Sequence, residues 1–146
     1  MKLSRRGFTL LEATFAMALG MIVLAAGYSA YFSVTRADDV ERRREMLTIS
    51  AQTAMANIKQ DIRAASRAAA SGSTLTLATA DGPVIYRNAT RGVERITGHR
   101  RSRFSGATAS FAQNGPGVDV SIKADANVHG RRIRVDLDCF VTPRNR

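Results

Sequence analysis

Apolar residues run from position 8 to position 34 with a single charge among them, behind a short basic opening that holds Lys2, Arg5 and Arg6. That charge is Glu12, about one helical turn into the run. As a helix, these 27 residues would extend about 40 Å, against roughly 30 Å for the hydrocarbon core of a bilayer. The run is therefore long enough to span with tilt or to protrude. A carboxylate in such a helix costs roughly 2.5–3.5 kcal/mol near the bilayer centre and less toward the headgroups, so Glu12 calls for a job and a partner. Basic residues before the span and mixed charge after it place the N-terminus in the cytoplasm. A secretory signal cut near Ala25-Ala26-Gly27 is the rival reading; the acid inside the apolar region and the length of the run argue against it. Within the span, Ala16 and Gly20 form a small-xxx-small pair that lets helices approach closely, and Gly27 follows on nearly the same face.

The helical period continues beyond the span. Positions 35–70 contain neither glycine nor proline, and Leu47, Ala51, Met55, Ile58, Ile62, Ala65 and Ala69 recur at helical spacing. Gln52, Lys59, Gln60, Arg63 and Arg67 occupy the opposite face, so this half predicts an amphipathic helix laid on a sheet, stopping at Ser71-Gly72. The charged cluster Asp38-Asp39-Val40-Glu41-Arg42-Arg43-Arg44-Glu45 between the apolar segments reads as a solvated stretch with pairs such as Asp38 with Arg42. After Ser71 the period drops to two. Strands are predicted over 74–80, 83–87, 92–96, 118–123 and 133–141, with Asp81-Gly82-Pro83, Gly115-Pro116-Gly117 and residues 127–130 as turns. Residues 97–105 read as an exposed basic loop. The fold class is α+β: a long N-terminal helix packed on a small antiparallel sheet, with residues 71–146 as the head.

Composition narrows the chemistry. The formal charge is +10, and loss of Lys2, Arg5 and Arg6 would leave +7, which suits anionic partners such as nucleic acid, lipid headgroups or an acidic neighbour. The single cysteine, Cys139, excludes an intrachain disulfide and sits on the apolar phase of the last strand, where it reads as a core residue. His99 and His129 are isolated, and no paired acids, triad or metal-ligand set occurs, so neither an enzyme nor a bound cofactor or metal is expected.

Arg6-Gly7-Phe8-Thr9-Leu10-Leu11-Glu12-Ala13 resembles the prepilin cleavage and methylation signal of type IV pilins and type II secretion pseudopilins. The resemblance implies that residues 1–7 are a leader, cut after Gly7 by an inner-membrane prepilin peptidase, and that Phe8 becomes an N-methylated amino terminus. It implies that Glu12 attracts the free amino terminus of a neighbouring subunit and sets the register of a helical filament whose core is built by residues 8–34. The implied partners are other pilins or pseudopilins, the inner membrane and its assembly platform, with the head in the periplasm. Two features depart from the family. No proline occurs before Pro83, so local melting of the helix would rely on Gly20 and Gly27, which cost roughly 1 kcal/mol each. The C-terminal disulfide of many pilins cannot form. Further along, Met55-Ala56-Asn57-Ile58-Lys59-Gln60-Asp61-Ile62-Arg63-Ala64-Ala65, Gly72-Ser73-Thr74-Leu75-Thr76-Leu77 and Val84-Ile85-Tyr86-Arg87 look like minor pilins and minor pseudopilins.

The first functional expectation is thus a minor subunit, processed and assembled into a type IV pilus or a type II secretion pseudopilus. The alternative is a pilus-tip adhesin or DNA-capturing subunit. If Arg100, Arg101 and Arg103 converge with Arg131 and Arg132, they make a positive patch able to hold phosphate backbone, although Phe104 alone offers stacking.

Overall fold

The computed structural model describes residues 9–144. The expected leader with its cleavage residue Gly7, and the expected new terminus Phe8, lie outside the described residues. The chain divides into two compact units, Met1–Asp39 and Val40–Arg146, and one helix, α1 (Leu10–Ala64), runs from the first into the second.

In the first unit the side chains of α1 face outward. Leu11, Phe15, Met17, Leu19, Ile22 and Leu24 are all exposed, and by length and composition the helix is able to cross a membrane. In the second unit α1 buries one stripe, formed by Leu47, Ala51, Ala54, Met55, Ile58 and Ile62 at spacings of three and four.

Eight strands follow. β1 (Arg67–Ser71), β2 (Thr74–Thr79), β3 (Gly82–Ala89), β4 (Gly92–Thr97) and β5 (Arg100–Ser105) form a five-stranded antiparallel meander in chain order. β6 (Ala107–Asn114), β7 (Gly117–Val128) and β8 (Arg131–Val141) form a separate three-stranded antiparallel sheet. Leu75, Leu77, Val84, Tyr86 and Val93 of the first sheet, Phe111, Val118, Val120 and Ile122 of the second, and the α1 stripe make one apolar core. Hydrogen bonds stitch the two sheets together. The Asn88 amide of β3 donates to the Ala109 carbonyl and accepts from the Ala109 N–H, both at 2.8 Å. The Phe111 N–H donates to the Gly72 carbonyl at 2.7 Å.

Three expectations need correction. The helix expected to reach about residue 70 ends at Ala64, and Ala69 stands in a strand. Gly72 is a hairpin residue rather than a helix stop: Ser71 pairs with Thr74 across Gly72-Ser73, and Gly72 takes a φ of +54°, open to glycine at no steric cost. The Ser66 N–H has already turned to the Ala78 carbonyl at 2.8 Å, while the Arg63 carbonyl in the last helical turn accepts from the Arg144 N–H at 3.2 Å. Residues 100–105, expected within a loop, form the edge strand β5, because pairing with β4 from Thr97–Arg100 to Gly92–Ser105 outweighs the absence of apolar alternation. Finally, the head holds two sheets rather than one, and β6 had no forecast.

Candidate functional site

The N-terminal end of α1 is built by its first four residues. Thr9 caps the helix: its carbonyl accepts the Ala13 N–H at 3.2 Å, and its Oγ1 accepts the Glu12 N–H at 3.3 Å. Thr9 and Glu12 hold the spacing of a capping box, a signal present in the sequence but not read there. Glu12 is exposed and lies in the first turn, where the positive end of the helix dipole favours a carboxylate. Downstream, the Thr14 hydroxyl donates to the Leu11 carbonyl (2.8 Å), the Ser33 hydroxyl to Ala30 (2.9 Å) and the Thr35 hydroxyl to Tyr31 (3.1 Å). The hydroxyl donors of these three residues are therefore satisfied within the helix, as an apolar surrounding requires.

Ala16, Gly20 and Gly27 lie on this outward-facing segment. A Cβ added at Gly20 or Gly27 would meet nothing within 4 Å, so no packing among the described residues accounts for either glycine. Near the end of the apolar run, the Tyr28 and Phe32 rings lie 4.6 Å apart, Tyr31 meets Phe32 edge-on at 6.3 Å, and the Arg36 guanidinium stands 6.0 Å from the Phe32 centroid. Aromatic rings followed by a cation are the composition of a membrane–water boundary. Nothing in the sequence marks out this cluster, because each residue taken singly fits a helix.

Two charged clusters organise the five-stranded sheet. On its inner face, Arg95 grips Asp61 of α1 with both Nε (2.7 Å) and Nη2 (3.1 Å), and the Tyr86 hydroxyl donates to the same carboxylate at 2.5 Å. Burial, then the hydrogen bond to Asp61, pushes the Tyr86 phenol well above its ordinary range; the hydrogen bond to Asp61 pushes the Arg95 guanidinium up. On the outer face, Glu94 of β4 lies between Arg103 of β5 (2.5 Å) and Arg87 of β3 (3.2 Å). Arg103 foremost, and Arg87 after it, hold the Glu94 carboxyl below the usual carboxylate range. The five arginines of the expected patch stand on two different sheets: Arg100, Arg101 and Arg103 on β5, Arg131 and Arg132 at the start of β8. Arg103 is paired with Glu94, and Arg132 with Asp125 at 3.0 Å. Cys139 lies on the core side of β8, half-buried, with its thiol toward the Phe140 carbonyl at 3.5 Å. Among the described residues no three His, Cys, Asp or Glu side chains gather as a metal site would require.

The family model of the prokaryotic N-terminal methylation motif matches residues 2–28, the segment that contains Glu12, Ala16, Gly20 and Gly27. No curated protein and no solved structure matches the chain. The chain thus carries a prepilin-type methylation motif at the head of a membrane-capable helix, on a pilin-like α+β layout.

Proposed function

We propose that the chain is a minor pilin or minor pseudopilin, a structural subunit held in the inner membrane and then drawn into a filament with other pilins. The observation that supports this reading is the coincidence of the methylation motif with a helix whose large apolar side chains, from Leu10 onward, are turned outward. Such a surface needs lipid or the helices of neighbouring subunits. Ala16, Gly20 and Gly27 would admit those helices closely. The minor subtype rests on the likeness of residues 55–65, 72–77 and 84–87 to that group.

In this reading a prepilin peptidase cuts after Gly7, and Phe8 becomes a methylated ammonium one residue before the Thr9 cap. A positive charge at the N-terminus of a helix is opposed by the helix dipole. A neighbour's Glu12 relieves that repulsion, and the attraction is strongest in the low dielectric of lipid or of a filament core. Terminus and acid then act as plug and socket, selecting where a subunit enters. The head faces the periplasm, and the assembly platform supplies the force.

Mass spectrometry of the native protein tests the proposal. The expected N-terminal peptide begins at N-methyl-Phe8, and Gly7→Glu should retain the leader. A mature protein that starts at Met1, or is trimmed near Ala26, overturns it.

A further inference from the structure

On the outer face of the five-stranded sheet, away from α1, three arginines converge around one acid. Arg87 of β3, Arg103 of β5 and Arg91 in the turn between β3 and β4 line an open pocket of about 450 Å3, together with Thr90 and Glu94. The register places Arg87, Glu94 and Arg103 abreast across three adjacent strands. Glu94 engages Nε and Nη2 of Arg87 and Nη2 of Arg103, at 3.3, 3.2 and 2.5 Å. A guanidinium has five N–H donors, so each arginine keeps most of its donor set for another acceptor.

Charge decides what that acceptor is. Three cations and one anion leave a surplus of two positive charges on one wall. Glu94 holds two of the guanidinium forks in fixed positions and quenches only part of their field. A lone carboxylate would leave one charge uncompensated, whereas a phosphate dianion, or two successive monoanionic phosphates of a diester chain, neutralises both and offers oxygens enough for several forks at once. We propose that this pocket is a phosphate-binding site, taking a phosphate group either as a small free anion or as part of a phosphodiester chain. Arg87 and Arg103 supply prealigned donors, Arg91 the third cation, and Glu94 keeps the set ordered while the pocket is empty. The inference is independent of filament assembly and stands on residues of the head alone.

The test uses the full chain in non-ionic detergent, with 15N NMR of the arginine Nε–H groups. Inorganic phosphate is titrated in one arm and a short single-stranded oligonucleotide in the other. Saturable shifts confined to Arg87, Arg91 and Arg103 support the site. Saturation by phosphate alone identifies a small anion; saturation only by the oligonucleotide identifies the polymer backbone. Arg91→Ala, which leaves the Glu94 pairs in place, should weaken binding about tenfold with an unchanged melting temperature, the equivalent of one charge-assisted hydrogen bond. Arg91→Lys should recover part of the loss. Absence of saturation in both arms, shifts shared equally by Arg131 and Arg132, or an unchanged affinity of Arg91→Ala would each overturn the proposal.

Discussion

In the proposed reading, Glu12 has two separable duties at the level of the single residue. Its backbone and position complete the Thr9 cap, and its charge is free for a neighbour. Glu12→Gln and Glu12→Ala both keep the backbone N–H that bonds Thr9 and both remove the charge, Gln alone retaining the side-chain length. Both variants should insert and be cleaved normally yet fail to enter filaments, as read from the ratio of sheared to membrane-retained protein. Normal assembly of Glu12→Gln would show that the charge is not needed. Gly92 makes a different single-residue demand. It opens β4 at a φ of +151°, and a Cβ there would overlap the Phe104 carbonyl oxygen on β5. Gly92→Ala should therefore cost about 3 kcal/mol in denaturant unfolding, and a stability equal to the parent would refute the close approach.

At the level of the element, α1 in the second unit is two-faced. Ile58 is fully buried while Ile49 is 56% exposed, nine residues away along the same helix. Ile58→Ala should destabilise the fold by about 2–4 kcal/mol, whereas Ile49→Ala should change unfolding by less than about 0.5 kcal/mol. Equal losses at the two positions would contradict the burial. The stripe that includes Ile58 was legible in the sequence because its large side chains repeat every three or four positions. β8 was legible for a similar reason: Ile133, Val135, Leu137, Cys139 and Val141 alternate with polar partners. Residues 65–70 were not, since Ala65, Ala68, Ala69 and Ala70 fit helix and strand alike, and a tertiary pairing with β2 decided between them. β6 escaped notice because two of its three buried residues, Ala107 and Ala109, are too small to mark a phase; only Phe111 does. β5 carries its arginines on both faces, so its strand character comes from β4 and not from its own pattern. The candidate site divides likewise. The motif at its head is local and readable, but Asp61, Arg95, Glu94 and Arg103 are assembled by strand register.

At the level of the whole molecule, the head is held together by ion pairs as well as by its core, and that makes its stability depend on pH. Glu94 has a folded-state value below the ordinary 4.5, set first by Arg103 and then by Arg87. A carboxylate with a depressed value contributes stability that is fully present above its unfolded value and is lost as pH falls through the folded one. The melting temperature of the parent should accordingly exceed that of Glu94→Gln at pH 7, and the gap should close as pH falls through the depressed Glu94 value, below the ordinary carboxylate range. A gap that persists at low pH would mean that packing, not charge, accounts for the difference. The two sheets add a further dependence: the Asn88 side-chain amide on the Ala109 backbone, and the Gly72 carbonyl on the Phe111 N–H, couple them, so loosening one sheet exposes amides of the other.

Greasy surfaces slide over one another with little to tell one alignment from the next. The carboxylate that Arg95 grips with two nitrogens works as a detent on that slide. Were the rod to turn by one position, about 100°, Asp61 would leave its fork, and Gln60 or Ile62, neither of them charged, would stand beside a stranded guanidinium. Tension along the rod would then loosen its grip on the sheet by giving up that notch, and not by creeping.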